Sequence, residues 1–194
     1  MILKKFNKTI NEKILLEKAT LNLSKDVLLA IKKIFKTINN GGKVFICGNG
    51  GSAADAQHLA AEFLVRLSPK VNRRAFPVIS LALDTSTITA CANDLGFEKI
   101  FERNLSALGS KKDLLLAIST SGNSKNILNV LKYAKKKKIF SLSFLGGKGG
   151  LAKKLSNLNI IVPSIDTARI QEIHIFLGHF IFEQVENLLI KKLR

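Results

Sequence analysis

The chain has 194 residues, enough for one domain with a full core and little beyond it. Apolar residues make up 46%, which excludes a disordered chain. The net charge of +17 invites a nucleic-acid partner, but the lysines are spread along the whole chain without the aromatic-plus-basic motif of single-strand binders, so that class is set aside.

From the N-terminus, residues 3–39 carry apolar positions at helical spacing, among them Ile10, Ile14, Val27, Ile31, Ile34 and Ile38. Two helices are predicted, with Ser24 as the N-cap between them and Gly41-Gly42 closing the second. Residues 1–40 read as helices that pack on the core and on other subunits, and 41–194 as an α/β unit, a single structural domain overall. Charges at the start are not followed by an apolar core segment, so no signal peptide is expected, and no apolar run approaches membrane-spanning length. Cys47 and Cys91 have no metal or redox spacing and read as reduced core residues, which points to the cytoplasm.

Beyond residue 43, short apolar runs alternate with amphipathic segments. The runs 44–47, 78–83, 114–119, 140–145 and 160–162 are nearly continuous, as strands of a parallel sheet covered on both faces should be. Helices are predicted at 52–67, 85–92, 97–108, 124–137 and 167–191, with a weaker one at 151–156. The lysines 135–138 close a helix, where cations suit the dipole. Residues 69–77 read as a basic surface connection. The pattern is that of a doubly wound α/β domain with five parallel strands.

Three stretches carry chemistry. After the first strand, Gly48, Gly50 and Gly51 let the backbone turn tightly, and Ser52 reads as the N-cap of an Ala-rich helix, together an anion site at a strand's carboxyl end. On that helix His58 and Glu62 are four apart and share a face, so they can bind one divalent ion or exchange a proton; a solvated face with an incidental His is the alternative. After the third strand, Ser119-Thr120-Ser121-Gly122-Asn123-Ser124 packs four hydroxyls onto a helix start, which suits a phosphate; an ordinary Ser-rich cap is the alternative. No Gly-Lys-Ser/Thr triplet supports a Walker-type site, and Gly146 to Gly150 reads as a plain tight turn. In the last helix, His179 stands in an apolar segment, either in a site or held by a backbone carbonyl. Gln171 lies eight residues earlier, roughly 12 Å along a straight helix. One ion touches both only through extended side chains or across subunits. His174 faces away from His179 and is assigned no catalytic role.

Gly48-Asn49-Gly50-Gly51-Ser52, Asn93-Asp94, Ser119-Thr120-Ser121-Gly122-Asn123-Ser124 and Arg169-Ile170-Gln171-Glu172-Ile173-His174 together resemble the sugar isomerase (SIS) domain family, and within it the phosphoheptose isomerases. The resemblance spans nearly the whole chain. It implies a three-layer α/β/α SIS fold, with a five-stranded parallel sheet in order 2-1-3-4-5 and an N-terminal helical extension. It implies a homotetramer with active sites at subunit contacts and one zinc ion per subunit, held by His58, Glu62, Gln171 and His179. Substrate contacts are implied for Asn49, Gly50, Gly51, Ser52, Glu62, Asn93, Asp94, Ser119, Thr120, Ser121, Ser124 and Gln171, and an acid/base pair for Glu62 and His179. The implied reaction is the aldose–ketose conversion of sedoheptulose 7-phosphate to D-glycero-D-manno-heptose 7-phosphate. That is the first step of nucleotide-activated heptose biosynthesis, for lipopolysaccharide or capsule, with neither nucleic acid nor membrane as partner. Two other readings stay open. One is an isomerase of another phosphosugar. The other is a non-catalytic SIS module of the replication-initiator-binding type, which carries Thr at the Gly51 position, Arg at Ser121 and no His at His179.

Overall fold

In the computed structural model, which describes residues 1–82 and 84–193, five apolar runs pair into one parallel sheet. They are β1 (Val44–Gly48), β2 (Val78–Ser80), β3 (Leu114–Ser119), β4 (Phe140–Gly146) and β5 (Leu158–Val162), in spatial order β2-β1-β3-β4-β5. Val44 pairs with Val78 on one side and Leu114 on the other, and Leu114 with Phe140. Every residue of β1 and β3 is buried, because helices cover both faces and neither pleat surface meets water.

Among the described residues the α-helices are α1 (Ile2–Ala19), α2 (Ser24–Asn39), α3 (Gly51–Leu64), α4 (Thr85–Leu95), α5 (Ile100–Leu108), α6 (Lys125–Lys136) and α7 (Thr167–Leu193). Alternate strand positions serve two separate cores. Val44, Ile46, Leu116 and Phe144 pack with α2, α3 and α7, while Phe45, Cys47, Leu115 and Ala117 pack with α4, α5 and α6. Helix α2 thus belongs to the sandwich itself. Helix α1 has no buried residue.

Several boundaries differ from the sequence reading, each for a local reason. Ser24 is not an N-cap: a 3-10 turn (Thr20–Leu23) joins α1 to α2, and the Ser24 hydroxyl donates back to the Leu21 carbonyl. Gly50, not Ser52, caps α3, and that helix ends at Leu64 instead of 67. Helix α4 runs three residues past the predicted 92, so Asn93 and Asp94 ride on its last turn. Strand β2 stops at Ser80, and Leu83 lies outside the described residues. The weak helix at 151–156 is a 3-10 turn (Ala152–Lys154), and β5 starts two residues early. The connection 69–77 is no mere surface strap, since Phe76 is buried and the Arg73 side chain is only 2% exposed. Among the described residues no helix is long and apolar enough to cross a membrane.

Candidate functional site

Strands β1 and β3 are neighbours whose following helices leave to opposite faces, so their carboxyl ends open the crevice where α/β sheets bind ligands. At the first turn, a Cβ on Gly48 would lie 2.5 Å from the Ser52 carbonyl oxygen, so only glycine lets the chain fold back this tightly. Gly50 takes a left-handed φ of 56°. Asn49 is tied across to the first turn of α6: Asn49 Nδ2 donates to Asn126 Oδ1 at 2.9 Å, and Asn126 Nδ2 donates back to Asn49 Oδ1 at 2.7 Å. The two ligand-facing turns are therefore one hydrogen-bonded unit. Asn126 is buried and was not anticipated from the sequence; the signal available was an amide side chain at a helix start directly after the hydroxyl-rich turn.

That second turn is held open by its own side chains. Ser119 Oγ accepts from the Gly122 N–H at 3.1 Å, and Ser121 Oγ from the Asn123 N–H at 3.2 Å. Ser124 occupies the N-cap of α6 without a side-chain cap bond, which leaves its hydroxyl free for another acceptor. The glycine loop after β4 is more than a plain turn, because it docks here. The Ala152 N–H donates to the Gly122 carbonyl at 2.9 Å, the Leu151 N–H donates to Asn123 Oδ1 at 3.0 Å, and a Cβ on Gly122 would meet the Gly149 carbonyl oxygen at 2.2 Å.

Helices α3 and α7 run side by side in the same direction. Gly51 abuts Gln171, Leu59 abuts Gly178, and His58 meets His179. A Cβ on Gly51 would lie 2.6 Å from Gln171 Nε2, so the glycine makes room for that amide at the first turn. Two turns on, His58 Nε2 and His179 Nε2 are 2.8 Å apart, and Glu62 Oε1 is 3.4 Å from His58 Nε2. One ligand atom from each of His58, Glu62 and His179 lies within 4.8 Å of the others, and none of the three residues is buried. Glu62 Oε2 is shielded from solvent with no hydrogen-bond partner. Two imidazole nitrogens and a carboxylate with a spare oxygen, converging on one point, fit a divalent cation of borderline softness. One turn earlier, burial raises the Asp55 carboxyl above its usual range, opposed by the charge of His58, and Asp55 Oδ2 is likewise unpartnered.

Gln171 sits at the Gly51 end of the helix pair, about two turns of α3 from His58. Asn93 and Asp94 are exposed on α4 and bond to each other, Asn93 Nδ2 to Asp94 Oδ1 at 2.8 Å. The carbonyl-held histidine is His174, fully buried with its ring Nε2 3.1 Å from the Leu145 carbonyl oxygen. Burial lowers its pKa to about 4, with the carbonyl bond opposing.

Residues 6–141 match the model of the SIS domain. A phosphoheptose isomerase of Chlorobaculum parvum is 51% identical over 166 residues, covering 84% of this chain and 79% of its own length. One from Helicobacter pylori is 46% identical over 172 residues, covering 89% and 88%. The solved structure of a phosphoheptose isomerase from Francisella tularensis superposes with a TM-score of 0.92 at 34% identity, covering 96% of this chain and 99% of that one.

Proposed function

The chain belongs to the phosphoheptose isomerase family of SIS-domain proteins and is an isomerase of a heptose phosphate; from that premise we propose that its substrate pair is sedoheptulose 7-phosphate and D-glycero-D-manno-heptose 7-phosphate. The observation that carries this reading is the convergence of His58, Glu62 and His179 on one flank of a helix whose N-terminus opens the anion site. Gly51 and His58 are separated by roughly 10 Å along α3. That separation suits a substrate with its phosphate at one end and its carbonyl at the other.

Moving a carbonyl between C2 and C1 transfers one proton between adjacent carbons through an enediol. It needs a base for the C–H proton, an acid for the carbonyl oxygen, and stabilisation of the developing oxyanion. Glu62 divides these duties between its oxygens. Oε1 faces His58, and Oε2 is shielded from solvent with no hydrogen-bond partner, so it keeps a free lone pair for the C–H proton. His179 is the partner acid, its Nε2 at hydrogen-bond distance from a second imidazole through which a proton can be shared. The turn 119–124 holds the phosphate with its hydroxyls and N–H groups, so binding energy far from the reacting carbons fixes their position. Asn49, Ser52 and Gln171 line the same end of the crevice; Asn93 and Asp94 reach the substrate from the end of α4. His58, Glu62 and His179 would hold zinc, with Gln171 completing that set through an extended side chain or across a subunit contact. The ion's contribution, when bound, is Lewis-acid polarisation of an oxygen ligand.

The open face supports a homotetramer with sites at subunit contacts. Helix α1 has no buried residue, and the α1–α2 junction and α7 bound an apolar groove of about 1080 Å³ lined by Val27, Leu28, Phe176, Phe180 and Leu188. The first 40 residues are thus read as helices that pack on the core through α2 and on other subunits through α1, in a cytoplasmic enzyme. The experiment is to mix zinc-replete protein with sedoheptulose 7-phosphate and follow the product by NMR. Glu62→Gln and His179→Ala should each lower kcat by about 10²–10⁴-fold with the fold intact. No product from folded wild-type protein, or more than about a tenth of wild-type kcat in both variants, would defeat the assignment.

A further inference from the structure

Glu62 stands in the last turn of α3, two residues before Leu64, where a helix has unpaired carbonyls and frays. No glycine cap closes this end. Instead, a side chain from the following connection enters it: Arg73 Nη2 donates to the Glu62 carbonyl at 2.9 Å, and Nη1 donates to the Phe63 carbonyl at 2.9 Å and the Val65 carbonyl at 3.4 Å. Its Nε donates to Glu186 Oε1 at 2.5 Å, and both side chains are within 3% of full burial. The guanidinium lies over the rings of Phe76 and Phe63, at 4.5 and 5.6 Å. Glu186 is on α7, seven residues and about two turns past His179.

We propose that Arg73 is a positioning residue of the isomerase site: through the α3 carbonyls and Glu186 it fixes Glu62 and His58 against His179. The inference rests on the reading of these three residues as the proton-transfer and metal-holding set. The planar fork suits the task. Five donors in fixed geometry can serve several carbonyls and a carboxylate at once, and a positive charge favours a helix C-terminus. A buried charge this costly to desolvate would be replaceable by apolar side chains if it contributed packing alone. Nothing else in the described hydrogen bonds ties the end of α3 to α7 below the histidines.

The test uses the full-length protein and zinc alone as probe, with affinity read by chelator competition and turnover measured separately. Arg73→Lys keeps the charge but cannot span the carbonyls and Glu186 together. It should weaken zinc about 10–100-fold, as loss of a supporting shell does elsewhere. It should lower kcat while KM for the sugar phosphate, set at the distant 119–124 turn, stays within about twofold. Glu186→Gln keeps an oxygen acceptor for Nε and should lose no more than about tenfold in zinc affinity, but measurably more than nothing. Wild-type zinc affinity and kcat in a folded Arg73→Lys would overturn the proposal. If Arg73→Lys does not fold, wild-type affinity in Glu186→Gln overturns it instead. A wild-type protein that neither binds zinc nor turns over defeats the functional reading itself; a competent wild type with unaffected variants defeats only the role of Arg73.

Discussion

Gly51 shows how finely one position is set. Its φ is helical, so alanine would fit the backbone and should stabilise α3 by about 0.5–1 kcal/mol through lost unfolded-state freedom. The new Cβ, however, lands 2.6 Å from Gln171 Nε2 and displaces that amide. Gly51→Ala is expected to melt at or above the wild-type temperature while losing at least about tenfold in kcat/KM, a factor of ten being only 1.4 kcal/mol of transition-state binding. A thermal melt beside a kinetic assay checks both halves. His174 makes a second residue-scale prediction. Its folded pKa of about 4 lies below the unfolded value of about 6.5, so the unfolded chain binds the extra proton between those limits. The burial is therefore fully stabilising above about pH 6.5 and is lost as pH falls toward 4, at up to about 1.4 kcal/mol per pH unit. Urea melts from pH 7 to 4.5 should show this slope, and His174→Gln, which can still donate to the Leu145 carbonyl, should flatten it. Reading the sequence left a carbonyl-held histidine as one possibility for His179; the structure gives that role to His174, because only the fold reveals which helix face meets β4.

Among elements, the strands were legible because each is a short apolar run, buried throughout in β1 and β3 and partly so at the edges β2 and β5, a signal that needs no tertiary information. The caps were less so. Ser52 looks like an N-cap by type, but the left-handed Gly50 lets the helix begin a residue earlier and buries Ser52 in its first turn. The connection 69–77 was misjudged because its basic composition hides one arginine that turns inward to cap α3 and to pair with Glu186, 113 residues away in sequence. Helix α1 is the element that most needs explanation. It has 18 residues and none buried, with Ile2, Leu3, Phe6, Ile10 and Leu15 exposed. Helices in water owe most of their stability to packing of an apolar face, so this one calls for a neighbour. Light scattering should return a tetramer mass, and Phe6→Asp with Ile10→Asp should dissociate it, each forfeiting about 1.5–3 kcal/mol of burial. A monomer mass for the unaltered protein at micromolar concentration would refute the expected assembly.

For the whole molecule, the two cores divide the labour. Every proposed metal ligand lies on the α2–α3–α7 face, while α4, α5 and α6 back the other side. Because the ligands come from α3 and α7, which meet only in the folded chain, zinc should bind the native state and not the unfolded one. At a free concentration of about one hundred times Kd it should add about 2.7 kcal/mol of stability. Calorimetry with zinc, and again after chelation, measures this, and an unchanged melt with zinc demonstrably bound would contradict it. The net charge of +17 belongs to this scale too, as a field that draws an anionic sugar toward the crevice and weakens with salt.

The reciprocal amide pair between Asn49 and Asn126 constrains how such a sequence can diverge. Each side chain is donor and acceptor to the other, across 77 residues. Changing either to aspartate sets acceptor against acceptor, and changing either to leucine strands a polar group in a place that is half or wholly shielded. A lineage that drifts at one position is penalised until the other drifts to match, so the two sites should behave as one locus, strongly epistatic and slow to wander. A double-mutant library over both positions should accept few pairs, and those few should be complementary ones.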